Sequence, residues 1–483
     1  MHYHITAPSP NAHFLDITLT INQVTEPNIE IQMPAWRPGR YEIQNFAKNI
    51  QNIDAFCVDG HKLPLEKITK DRWRVSTKGV HEVVLKYTYY AFEQNAGTSY
   101  IDATLWYLNF INFAFYVEGR IQEAYTLNLD LPEGYIVACG LKKTAKYFEA
   151  NDFYHLVDSP LLASKTMQHS AYEVDGVNFH IWMHGNWKPD WKRIESAFKR
   201  FSKEQLATMH EFPEQDYHFI NLVLPTAFYH GVEHRNSTMV VLGPDEEGEG
   251  LYNDLLGVSS HELFHTWNVI RIRPIELLPY DYTQENYFGT CFVAEGCTTY
   301  YGDLFLKRAG VFDDEAYFKE LQVYMKRHFE FSADASQSLI DSSFDLWLDG
   351  YEKGIPNRKV SVYHKGALVA MILDLYLRKQ SSHQKSLDDV MRVLWQRFGK
   401  PFVGYTLQDY KDIVEEIAGE ELPWYWTTCV HTNTPLQELL NEMLSFVGLQ
   451  MSVETEGNVL LNTLDDLNGS IQRTLWLSSN TIF

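Results

Sequence analysis

The stretch Ser260-His261-Glu262-Leu263-Phe264-His265-Thr266-Trp267-Asn268 holds a His-Glu-x-x-His core that points to a metal, a water and a reaction. On an α-helix, residues four apart lie one turn above each other on the same face, so both imidazoles face one ion. Two neutral imidazoles are half of a tetrahedral zinc site. Glu262 sits about 100° round the helix from His261. It therefore projects beside the ion rather than onto it, where it takes a proton from the water the ion activates. That is the arrangement of a peptide-hydrolysing centre.

Catalytic zinc sites of this kind take a third ligand from a downstream carboxylate and leave the fourth position open. Two candidates follow His265: Glu285, twenty residues on, and Glu295, thirty on. Glu285 lies in Pro279-Tyr280-Asp281-Tyr282-Thr283-Gln284-Glu285-Asn286-Tyr287, which is polar and turn-like; a loop still supplies ligands in many sites. Glu295 stands near the start of 291–306, where apolar residues recur at three- and four-residue spacing. That pattern predicts a buried helix, and a buried acid needs a partner. Glu295 is the favoured ligand.

The run His261-Glu262-Leu263-Phe264-His265-Thr266-Trp267-Asn268-Val269-Ile270-Arg271-Ile272-Arg273-Pro274, followed by Val293-Ala294-Glu295-Gly296-Cys297-Thr298-Thr299-Tyr300-Tyr301-Gly302-Asp303-Leu304, resembles the glycyl aminopeptidase family of zinc metallopeptidases. These are relatives of thermolysin and of the aminopeptidase N type. The resemblance implies one Zn²⁺ per chain on His261, His265 and Glu295. Aminopeptidase N relatives use a shorter spacing, near where Glu285 falls, so that residue stays open at this stage. Pro34-Ala35-Trp36-Arg37-Pro38-Gly39-Arg40-Tyr41 also resembles the family's amino-terminal domain.

Further roles come from the same resemblance. Tyr229-His230-Gly231-Val232-Glu233-His234-Arg235, between apolar strands at 219–224 and 238–242, is similar to a Gly-x-x-Glu edge strand. It implies Glu233 as the anchor for a substrate's free ammonium and Gly231 as the point of close backbone approach. The residues alone fit a surface turn with an ion pair equally well. Tyr363, in Val360-Ser361-Val362-Tyr363-His364-Lys365-Gly366, matches a tyrosine that faces the zinc and assists the oxyanion. Asp303, eight residues after Glu295, is placed to accept the second nitrogen proton of His261 or His265; a helix-surface aspartate is the plainer reading.

Composition sets the bounds. At 483 residues the chain is long for one core, so several domains are expected. A formal charge of −22 argues against phosphate-backbone binding and suits the partners the resemblance implies, peptides with a free, positively charged amino terminus. Five cysteines, Cys57, Cys139, Cys291, Cys297 and Cys429, without a Cys-x-x-Cys pair, suit a reducing, cytoplasmic setting. The first residues lack the basic start and apolar core of a secretion signal. The longest apolar stretch, 366–377, contains Asp374 and is too short to span a bilayer.

Alternating segments at 15–21, 84–89 and 125–131 predict an antiparallel β domain over residues 1–165, most simply a sandwich. A thermolysin-like catalytic domain with a mixed sheet and the zinc site is expected over 166–311. A helical subdomain follows over 312–446, with helices at 366–378, 387–398, 407–418 and 435–446. Residues 447–483 read as a short tail, too few for the peptide-binding PDZ module that many family members carry. The fold class is thus α+β and multidomain. The function expected is a zinc aminopeptidase for peptides starting with a small residue, glycine or alanine. A zinc endopeptidase and a non-catalytic peptide-binding protein are the alternatives.

Overall fold

A computed structural model describes residues 1–246, 248–331, 335–350, 354–454 and 458–478. The first third is β-rich. Its main sheet has eight strands, and strands Phe14–Ile21 and Val83–Tyr90 form its centre. Alternation places Leu15, Ile17, Leu19 and Ile21 inward opposite Val83, Leu85, Tyr87 and Tyr89, all nearly inaccessible. Each such side chain contributes roughly 1.5–3 kcal/mol of burial. Two four-stranded sheets and a two-stranded one complete this region. The expectation of a purely antiparallel domain needs one amendment: His2–Thr6 pairs in parallel with Tyr125–Leu129. These strands are far apart in sequence, so no tight turn dictates their direction.

A five-stranded mixed sheet follows, in spatial order Gln168–Val174, Val177–His184, Asp216–Val223, Ser237–Gly243 and Phe228–Glu233. The middle strands run parallel. Helix Trp191–Met209 packs on Gln168–Val174 and helix Glu249–Phe264 on Ser237–Gly243 and Phe228–Glu233, while Ile220, Leu222, Met239 and Val241 are buried with Leu105, Tyr107 and Leu162 of the β-rich region. Phe228–Glu233 lies at the edge, antiparallel to its neighbour, with Gly231 opposite Val240 and Glu233 opposite Thr238.

From Thr298 the chain is mainly helical, with Thr298–Arg308, Asp314–Phe331, His364–Ser381, Leu387–Leu394, Leu407–Ala418 and Gln437–Phe446. No helix among the described residues is long and apolar enough to cross a membrane. The last segment is more than a tail. Strands Leu449–Val453 and Val459–Thr463 form a hairpin, and helix Leu467–Trp476 returns to the core. There Trp476 is fully buried and donates its indole N–H to the Tyr300 hydroxyl at 2.9 Å. The sequence reads as a tail because 447–483 is too short for a PDZ module, a length that leaves room for a hairpin and one helix docked on the core.

Candidate active site at a buried imidazole and carboxylate cluster

Helix Glu249–Phe264 ends in the His-Glu-x-x-His core, with His265 capping its last turn. The Nε2 atoms of His261 and His265 come within 2.9 Å of each other. Oε2 of Glu295 lies 3.3 Å from His265 Nε2 and 3.6 Å from His261 Nε2. Donors bound tetrahedrally at about 2.0–2.1 Å stand about 3.3 Å apart. The three separations bracket that value, and the donor set is two nitrogens and one carboxylate oxygen, so these residues fit a zinc-type ion. Glu285 is in neither of the two three-donor groups formed here among the described residues: His261, His265 and Glu295 in one, Glu233, Glu262 and His265 in the other.

Glu295 arrives on a wider turn than expected. Phe292–Cys297 is π-helical, and only from Thr298 does the chain become an ordinary α-helix. Such turns recur at functional sites, because the widened ring re-aims a side chain. The displaced carbonyls of Val293 and Ala294 accept from Asn268 Nδ2 at 2.8 and 3.1 Å. Asn268 also offers its own carbonyl to His265 Nδ1 at 2.7 Å. A carbonyl oxygen only accepts, so Nδ1 carries a proton and Nε2 is the nitrogen turned toward Glu295 and placed to ligate an ion. Asn268 therefore braces both halves of the cluster, a role its place in an apolar run hints at without specifying.

Asp303 does not take that imidazole proton. It is buried beneath the Tyr324 hydroxyl, which donates to its Oδ2. The metal helix instead meets Gly302, where an added Cβ would lie 3.2 Å from that of His261. Glycine lets the two helices approach closely there.

Glu233 and Glu262 form a second group with His265, and Gly231 lies beside it. Glu233, 6% exposed, closes the edge strand, and Glu262, 5% exposed, projects from the helix below it. Gly231 lies over Glu262 with the least possible bulk: a Cβ there would lie 2.3 Å from Glu262 Oε1. Oε2 of Glu262 has no hydrogen-bond partner among the described residues. Tyr363 immediately precedes helix His364–Ser381. That helix start abuts the π turn through two glycines, since a Cβ on Gly366 would meet the Gly296 Cα at 2.7 Å.

The electrostatics are those of a site built around positive charge. Burial pushes the Glu262 carboxyl well up, and pushes Glu233 up to about 7 against the opposing pull of His265. Burial disfavours charge on Glu295 as well, but His265 and His261 hold it well below the usual carboxylate range. Burial also opposes a charged His265, yet Glu295, Glu233 and Glu262 outweigh it and lift the ring to about 10. Three converging buried carboxylates favour a cation on the imidazole side.

One participant was invisible to sequence reasoning. Tyr41, from the β-rich region, is buried and donates its hydroxyl to Glu295 Oε1 at 2.6 Å. No local pattern reports a contact between residues 254 positions apart.

A β-rich domain joined to a mixed sheet and a helical region, with this cluster at their junction, defines a hydrolytic peptidase. The chain belongs to the M61 glycyl aminopeptidase family: residues 2–165 match the Peptidase M61 N-terminal domain and residues 254–369 match M61 glycyl aminopeptidase. The solved structure of an aminopeptidase N family protein from Idiomarina loihiensis superposes with a TM-score of 0.87 at 28% identity, over 94% of this chain and 79% of that one. An M1 zinc metallopeptidase from Deinococcus radiodurans shares the fold at a TM-score of 0.55 and 14% identity, over 90% of this chain and 94% of that one. No curated protein matches the chain at a significant level.

Proposed function

We propose that the protein is a zinc aminopeptidase holding one Zn²⁺ through His261, His265 and Glu295 and removing single residues from peptides with a free amino terminus. The observation that carries this reading is the convergence of Nε2 of His261, Nε2 of His265 and Oε2 of Glu295, with Glu262 and Glu233 alongside. Zinc, when bound, supplies a Lewis acid for the scissile carbonyl and lowers the pKa of a water.

The chain's own groups do the rest. Glu262, buried and with one oxygen unpartnered, takes the proton of the attacking water and passes it to the leaving amine. Glu233 closes the edge strand beside it and meets the substrate's ammonium, which sets the cut one residue in. Gly231 keeps that strand close to the reacting centre. Tyr363 donates to the developing oxyanion. Glycine or alanine is the first residue preferred, in keeping with the family's description. All five cysteines are free thiols, in keeping with a cytoplasmic setting.

Metal analysis and two substitutions test the assignment. Glu262→Gln should retain stoichiometric zinc and lose at least 100-fold in kcat, within the range of about 10²–10⁴ for a general base. Glu295→Gln should lose zinc, whereas Glu285→Gln should keep it. A peptide with an acetylated amino terminus should resist cleavage, and equal rates for blocked and free peptides would make the protein an endopeptidase.

A further inference from the structure

Strands Trp36–Arg37 and Glu42–Ile43 form a hairpin that leaves the β-rich region and ends against the metal cluster. Its Tyr41 has a φ of 50°, in the left-handed region that bulky side chains avoid. Glycine or asparagine would make that turn at less cost. Strain of this kind persists where the surrounding structure imposes it, and it concentrates at functional sites. Here it coincides with the 2.6 Å hydrogen bond from the Tyr41 hydroxyl to Glu295 Oε1.

The hairpin is gripped from the catalytic side. The N–H groups of Ala35 and Trp36 both donate to the Tyr282 carbonyl, at 2.7 and 3.0 Å, and the Tyr41 ring packs 5.5 Å from that of Phe288. Tyr282 and Phe288 both belong to the long stretch between His265 and Glu295. That stretch therefore has a job: it holds the hairpin on the cluster.

We propose that Tyr41 is a positioning residue for the metal centre, through which the N-terminal domain completes the ligand set. Its hydroxyl occupies Oε1 of Glu295, so only Oε2 faces the imidazoles. A carboxylate tethered at one oxygen binds an ion through the other and leaves the open position to the substrate. Freed of the tether, it turns and presents both oxygens, since its terminal torsion is soft. Partners of this outer kind typically change metal affinity about 10–100-fold. The proposal rests on the reading of Glu295 as a zinc ligand.

Tyr41→Phe in the full-length chain isolates the hydroxyl, because the ring and its packing on Phe288 remain. Zinc affinity is measured by competition with a chromophoric chelator, and coordination by the visible absorption of the Co²⁺-loaded protein. The expected result is zinc binding weakened about 10–100-fold, an altered Co²⁺ spectrum, a lower kcat with KM little changed, and an unchanged Tm for the zinc-free protein. Phe288→Leu loosens the ring packing but spares the hydroxyl, and should leave zinc affinity and the Co²⁺ spectrum nearly as they were. Unchanged zinc affinity and spectrum in Tyr41→Phe, with Glu295→Gln losing zinc, would overturn the proposal alone. A fall in the Tm of zinc-free Tyr41→Phe, with Phe288→Leu weakening zinc as much, would reduce Tyr41 to domain docking and overturn it too. Retention of zinc by Glu295→Gln would overturn the ligand assignment and the proposal with it.

Discussion

Replacing Gly231 by alanine should separate activity from stability. A Cβ there would lie 2.3 Å from Oε1 and 2.8 Å from Cδ of Glu262, and 2.8 Å from Cγ2 of Val258. Ordinary contact begins at 3.4 Å, so the carboxylate must retreat by about 1 Å, a shift that costs on the order of 100-fold at a reacting group. That corresponds to about 2.7 kcal/mol of lost transition-state stabilisation. The backbone objects little: Gly231 is not at positive φ, and alanine in a strand gains roughly 0.5–1 kcal/mol over glycine. Turning the Glu262 side chain off its preferred rotamer costs about 0.5–1.5 kcal/mol, and displacing the buried Val258 methyl adds about 1–3 kcal/mol of overpacking. The net loss of stability is about 1–3 kcal/mol, small for a chain of 483 residues. Gly231→Ala should therefore keep its Tm within a few degrees and its zinc, while kcat/KM on a small unblocked peptide falls about 100-fold. Activity within about threefold of the parent, with Glu262→Gln inactive in parallel, would refute the idea that Gly231 sets the position of that carboxylate.

Gly366→Ala should act differently, because its Cβ would strike the Gly296 backbone at 2.7 Å and no flexible atom can yield. A loss of about 1–3 kcal/mol in denaturant unfolding, with weaker zinc binding, is expected; an unchanged midpoint would mean that the crossing relaxes freely. Trp476→Ala should cost about 3–5 kcal/mol in the same assay, since the ring is fully buried and hydrogen-bonded to Tyr300, which in turn donates to Asp374. A loss below about 1 kcal/mol would return residues 467–476 to the status of an appendage. Burial, aided by His180 and His169, holds His218 at about 3, with Asp216 near His180 and the Trp182 indole on its Nδ1. The unfolded chain protonates this ring near pH 6.5 and the folded one only near 3, so its contribution is complete above about pH 6.5 and is lost as the pH falls. Unfolding free energy measured between about pH 4 and 6.5 should vary less steeply in His218→Gln, and an identical slope would exclude the effect.

The helix carrying His261 and His265 was legible from its four-residue motif spacing and the long helix His364–Ser381 from its apolar periodicity, because both are decided by residues within a few turns of one another. The edge strand at Phe228–Glu233 came only from the family resemblance. Glu295 was legible as an acid in an apolar run, although the π turn that aims it was not. That turn depends on Asn268 reaching the carbonyls of Val293 and Ala294 across the site. The assignment of Asp303 to an imidazole failed for a related reason. Helical spacing places a residue on a face but does not say which partner lies opposite, and Tyr324 does.

By itself the amino-acid sequence determined the groups on offer: two imidazoles one turn apart, a neighbouring glutamate and a downstream carboxylate in an apolar run. Those choices are local, since spacing along a helix or strand places the groups. The tertiary structure alone decided how they are held. Tyr41 comes to Glu295 from 254 residues away, Asn268 joins two segments, and Gly231, Gly296 and Gly366 let backbones and carboxylates approach to distances any side chain would forbid. Contacts of that kind follow from packing of the whole chain, because the close approach that creates them is paid for by burial distributed over the sheets and the helical core.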